Sequence, residues 1–118
     1  MYLYQDFKRE KCYGAEFART ERIKESLTKI DLLEEAYDQG GIPIITEEDD
    51  AWIDTEDNHS LIFGSTGSKK SRLFAMPLIE ILAKAGESFF VTDPKGELFD
   101  KTAAVLEGKG YYCMVMDF

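Results

Sequence analysis

The sequence predicts an α/β fold, part of a parallel sheet with helices, behind a small helical and β-hairpin lead-in. Three observations predict it. From residue 59 onward the pattern alternates strand, helix, strand, helix, strand, which is the signature of a parallel sheet with right-handed crossovers. The strands read as apolar runs, such as Phe89-Phe90-Val91, which suits burial on both faces. Between the first strand and the first helix stands a glycine-rich turn, the order a phosphate-binding loop requires.

Taken in order, residues 1–19 interleave Tyr2, Tyr4, Phe7, Tyr13 and Phe17 with charges and carry no assignable pattern. Thr20 reads as an N-cap, with Glu21 in the first turn. Ile23, Leu27 and Ile30 follow at helical spacing. A second short helix is read from Asp31 through Leu32, Leu33 and Ala36, ended by Gly40-Gly41. Ile42-Pro43-Ile44-Ile45 reads as an edge strand, because Pro43 has no N–H to give a central ladder. Ala51-Trp52-Ile53 is its hairpin partner across an acidic turn. The strands of the main sheet fall at 59–63, 88–92 and 111–116, and the helices at 70–85 and 98–107. Pro77 predicts a kink in the first of these helices. Gly86 closes it, and Gly108 and Gly110 close the next. This divides the chain into a helical lead-in, 1–41, and an incomplete nucleotide-binding domain, 42–118. The domain comprises a hairpin at 42–57, a strand, loop and helix at 59–85, and a strand, helix and strand at 88–116. A doubly wound sheet normally has more strands than this, so the chain reads as the front part of something longer.

Composition excludes several classes. A chain of 118 residues with 44% hydrophobic and 13% aromatic residues has the means for one modest core. No apolar run approaches the ~20 residues of a membrane span. Cys12 and Cys113 have no metal-ligand spacing and form no disulfide framework, which points to a reducing compartment. The single histidine, His59, has no partner ligands in sequence and reads as a strand-entry residue. The net charge is −9, and seven of the responsible carboxylates lie at Glu47, Glu48, Asp49, Asp50, Asp54, Glu56 and Asp57. The rest of the chain is nearly balanced, with no basic stripe for nucleic acid. Tight binding of single-stranded DNA by this chain alone is therefore not expected.

The residues that carry chemistry are Gly64, Ser65, Thr66, Gly67, Ser68, Lys69, Lys70 and Ser71. The phosphate-loop pattern is G-x-x-x-x-G-K-S/T, and Gly64, Lys70 and Ser71 fit it. Backbone N–H groups of such a loop form a nest for phosphates, and the next helix points its positive end at them. Lys70 is the expected ligand of the β and γ phosphates of ATP, and Ser71 of Mg²⁺. Position six, normally glycine, is Lys69. A left-handed backbone there costs a side-chain-bearing residue on the order of 1–2 kcal/mol. A second ammonium near a triphosphate is favourable, but geometry is expected to dominate. ATP and Mg²⁺ binding are then weakened, or lost if Lys69 blocks the loop. A second constellation, Thr92-Asp93-Pro94-Lys95-Gly96-Glu97, falls at the carboxyl edge of the sheet, where ligands bind. Asp93 and Glu97 are its candidates for orienting Mg²⁺, water or a neighbouring loop, while taken alone the stretch reads as a Pro-Gly turn between strand and helix.

With the runs H-S-L-I-F-G-S-T-G-S-K-K-S-R and F-F-V-T-D-P-K-G-E-L, the chain from about residue 18 resembles the type IV secretion coupling proteins, the TraG-type conjugative DNA-transfer ATPases. The resemblance implies a P-loop NTPase domain of the RecA-like kind. It implies a hexameric, ATP-hydrolysing motor at the inner face of the bacterial cell membrane. That motor takes relaxosome-bound single-stranded DNA to a type IV secretion channel, with hexamer neighbours of its own family as partners. The family's membrane helices and its second acidic motif are not found in these residues, so this chain alone is expected to be inactive. The competing reading is a non-catalytic truncated remnant or interaction module with a degenerate P-loop.

Overall fold

The computed structural model describes residues 17–116. It is a small α/β structure in which a three-stranded antiparallel sheet and two packed helices share one central helix. Residues 1–16 of the predicted lead-in, with Cys12, lie outside the described residues, as do 117 and 118.

Helix α1 (Thr20–Glu25) begins one residue earlier than the predicted cap implies, with Arg19 at the N-cap and no side-chain cap bond. It is also shorter than predicted. Ser26 turns back at its end, its Oγ donating to the Ile23 carbonyl at 2.8 Å. Ile30, read as the third member of a helical stripe, lies instead in strand β1 (Thr28–Asp31), where it is buried opposite Ala51. The predicted second helix does not form. The Asp31 carboxylate accepts the Leu33 N–H at 2.8 Å, and this local turn competes with a helix start.

Strands β2 (Ile42–Glu47) and β3 (Asp50–Asp54) form the expected hairpin, and β1 adds to its far side in the order β1-β3-β2. β2 is an edge, as Pro43 requires. Its register slips between Pro43 and Ile45, so Ile44 bulges outward and is 50% exposed. Gly41 has to be glycine, because a Cβ there would run into the Asp54 carbonyl. Part of the acidic run is paired. Glu47 pairs with Lys24 at 2.6 Å and Asp50 with Lys29 at 2.7 Å, while both lysines stand over the Trp52 ring.

The predicted parallel sheet is absent: residues 59–63, 88–92 and 111–116 form no ladder. The reason lies in what helix α2 (Met76–Lys84) covers. One side of it is taken by the antiparallel sheet, where Ile81 packs with Ile30, Ala51 and Ile53. Its other side packs Ile79 and Ala83 on Leu106 of helix α3 (Glu97–Gly108), with Phe89, Tyr111 and Cys113 against the seam. The segments 88–92 and 111–116 thus set Phe89, Tyr111 and Cys113 on the helix pair with no second layer among the described residues, and residues 59–63 are exposed throughout. Tyr111 and Cys113 are half-buried, while Tyr112 and Met114 between and after them are 87% and 70% exposed. A parallel ladder is a structure covered on both faces, and this condition is not met.

The seam has a polar pin. The Tyr111 hydroxyl reaches the carbonyls of Glu87 at 2.9 Å, Leu82 at 3.2 Å and Ala83 at 3.4 Å. Desolvation, and secondarily the Glu87 charge, hold its pKa above the usual tyrosine value. A raised folded-state pKa means the contribution is fully present below the unfolded value near 10 and is lost as pH rises through the folded value. Tyr111→Phe is expected to cost about 1 kcal/mol in urea melts at neutral pH. The gap between wild type and variant should narrow in strongly alkaline buffer. An equal gap at both pH values would remove the hydroxyl from this role.

Candidate functional site

The glycine-rich turn is built by bonds within eight residues. Gly67 (φ 83) and Lys69 (φ 57) are both left-handed, and Lys70 (φ −50, ψ −46) returns to the right-handed region. The Ser68 N–H turns back to the Ser65 carbonyl at 3.1 Å. Among the described residues, the N–H groups of Gly67 and Lys69 have no acceptor. Consecutive left- and right-handed residues are the backbone sequence of an anion-binding nest.

Lys70 closes the loop from inside. Its ammonium donates to the carbonyls of Gly64 and Ser65, the latter at 3.0 Å, and approaches Ser68 Oγ at 3.4 Å. Gly64 leaves room for this arrangement. A Cβ there would come within 2.5 Å of Ser68 Oγ and 2.8 Å of the Lys70 stem. Ser65, Thr66 and Ser71 are exposed on the same turn.

Lys69 attains the backbone conformation for which glycine is normally used. Its side chain therefore does not keep the loop from its shape; the strain is carried by the folded chain. Its ammonium makes no hydrogen bond or ion pair among the described residues.

Beyond the loop, the helix opens with a π-helical turn, Ser71–Ala75, before the α-helical Met76–Lys84. The Met76 N–H bonds to the Ser71 carbonyl, one residue further back than in an α-helix. Pro77 accounts for this widening, since its ring crowds the carbonyl four residues earlier. The kink expected at Pro77 is accommodated as this π turn.

The second constellation is a capped turn. Asp93 Oδ2 accepts the N–H groups of Leu98 at 2.8 Å and Phe99 at 3.0 Å, and Gly96 (φ 72) donates its N–H to the Asp93 carbonyl at 3.1 Å. That carboxylate starts α3 by satisfying its free donors. Glu97 is the first residue of α3 and is exposed, with no ion pair among the described residues. Sequence reasoning found both residues but missed the capping role of Asp93, which lies three residues before the N-cap Gly96 and so outside the usual cap position.

Elsewhere, a groove between α2 and α3 has a floor of Ile79, Ala83 and Leu106, with Arg72, Lys101 and Lys109 at its sides. No group of three potential metal ligands occurs among the described residues. No helix among them is long and apolar enough to cross a membrane.

Residues 8–118 match the protein family described as type IV secretory system conjugative DNA transfer. No curated protein and no solved structure is similar enough to add a second comparison.

If Lys69 carries backbone strain, relieving it stabilises the fold. Lys69→Gly is expected to raise stability by about 1 kcal/mol, or Tm by about 4 °C. Thermal melts of the two forms measure this, and an unchanged or lower Tm would show that the left-handed lysine is not strained.

Proposed function

The chain belongs to the type IV secretory system conjugative DNA transfer family, and from that premise we propose that residues 64–71 are the nucleotide-phosphate site of a DNA-transfer motor. In this reading the motor stands at the inner face of the bacterial membrane. It assembles with neighbours of its own kind and takes relaxosome-delivered single-stranded DNA to a type IV secretion channel.

The observation that carries the proposal is the position of Lys70. Its ammonium is held by the Gly64 and Ser65 carbonyls, and two left-handed residues, Gly67 and Lys69, precede it in the loop. An ammonium and free N–H donors in one short loop both favour phosphate oxygens. The residues fit a nucleotide by the chemistry of this donor set: loop N–H groups, an ammonium and a hydroxyl. Lys70 and the loop N–H groups would hold the β and γ phosphates, and the Ser71 hydroxyl would hold Mg²⁺. The metal ion, when bound, neutralises charge between the phosphates. Asp93 sets the turn at the start of α3, and Glu97 presents a free carboxylate there.

Calorimetric titration with Mg-ATP tests the site. Wild type is expected to bind, and Lys70→Ala to bind at least tenfold more weakly, a loss of about 1.4 kcal/mol or more. Equal heats for both proteins would remove Lys70 from phosphate recognition.

A DNA titration bears on the division of labour. With a net charge of −9, this chain is expected to hold single-stranded DNA no tighter than micromolar at physiological salt. Fluorescence anisotropy giving a submicromolar Kd would place a DNA-binding face within these residues.

A further inference from the structure

Lys69 is a departure from the loop pattern that the phosphate reading does not by itself use. Two facts set it apart from Lys70. Its backbone already holds the left-handed conformation the loop needs, so the substitution costs the loop no shape. Its ammonium is free among the described residues, whereas that of Lys70 is tied to two carbonyls and approaches a hydroxyl. The next cation, Arg72, is exposed and also in no ion pair. The junction of loop and helix therefore carries three positive side chains in four positions, Lys69, Lys70 and Arg72, with no carboxylate paired to any of them among the described residues.

Resting on the reading of residues 64–71 as a phosphate site, we infer that Lys69 is a specificity residue: its free ammonium selects nucleoside triphosphates over diphosphates by charge. A glycine at this position gives room and N–H groups, which serve any phosphate alike. A free ammonium adds an attraction that grows with each negative charge on the ligand. A triphosphate carries about one unit more charge than a diphosphate. In that reading Lys70 already serves the β and γ phosphates, and Lys69, with no partner among the described residues, is a second cation in the same loop for the added charge of a triphosphate to attract. The attraction acts across partly solvated space, so it weakens as salt screens it.

The experiment separates charge from shape. Asparagine tolerates the left-handed region and carries no charge, so Lys69→Asn keeps the backbone and removes the ammonium. Lys69→Arg keeps a cation. Lys69→Gly is a second uncharged form that relieves the backbone. Each is titrated calorimetrically with Mg-ATP and with Mg-ADP, at low and at physiological salt, after thermal melts have shown it folded.

The expected result is a triphosphate preference about tenfold smaller in Lys69→Asn and Lys69→Gly than in wild type, and preserved in Lys69→Arg. The wild-type preference should also shrink with salt more than that of the uncharged forms. If wild type binds in a Lys70-dependent way but the uncharged forms keep its full preference, the selectivity role of Lys69 is overturned and the phosphate site stands. If wild type binds neither nucleotide, the phosphate site itself falls, and the role of Lys69 falls with it.

Discussion

Helix α2 is buried on two sides at once, and the other elements take their positions from it. Ile81 on one side completes the cluster of Ile30, Ala51 and Ile53 on the antiparallel sheet. Ile79 and Ala83 on the other complete the cluster with Leu106 of α3. Burying side chains of this size contributes roughly 1.5–3 kcal/mol each for the larger ones, so neither cluster is large enough to stand without the helix they share. Polar ties at the C-terminal end of α2 fix the arrangement. The Lys84 ammonium donates to the Leu32 carbonyl at 2.8 Å, Tyr37 N–H donates to the Lys84 carbonyl at 3.0 Å, and Gly40 N–H donates to Glu87 Oε1 at 2.6 Å. Tyr111 closes the same end from the α3 side.

That arrangement explains which parts of the sequence were legible. The hairpin was readable because Pro43 marks an edge and Ala51-Trp52-Ile53 alternates between buried and half-buried positions. The helix at 97–108 was readable from its flanking glycines. The first helical stripe misled because Ile23, Leu27 and Ile30 also fit a strand at their far end. Two apolar residues and one shared isoleucine cannot separate a period of 3.6 from a period of 2. Tertiary pairing with β3 then decides for the strand at Ile30.

The parallel sheet misled for a different reason. Its segments carry the right composition, and Phe89, Tyr111 and Cys113 do meet the helix pair. Composition reports that a segment can be buried on both faces, whereas a ladder depends on both layers being in place. Here α2 spends its second face on the antiparallel sheet, so Leu61, Phe63, Phe90 and Met114 stay exposed at 79%, 86%, 72% and 70%. Local sequence has no way to record that choice, because it is made between elements more than twenty residues apart.

The loop at 64–71 was legible for the converse reason: what shapes it is local. Gly67 and Lys69 turn the backbone, Ser68 N–H bonds to Ser65, and Lys70 ties Gly64 and Ser65 together. Each of these constraints spans six residues or fewer, so none needs a strand paired beneath the loop. The same locality places the strain. Lys69 holds an unfavourable φ because Gly67 before it and the helix after it fix the path between them, while Pro77 widens the first helical turn instead of unwinding it. A glycine-rich turn of this kind and a parallel sheet depend on interactions of different range. In this chain the short-range set suffices for the loop, while the long-range set that would form the ladder is directed elsewhere by α2.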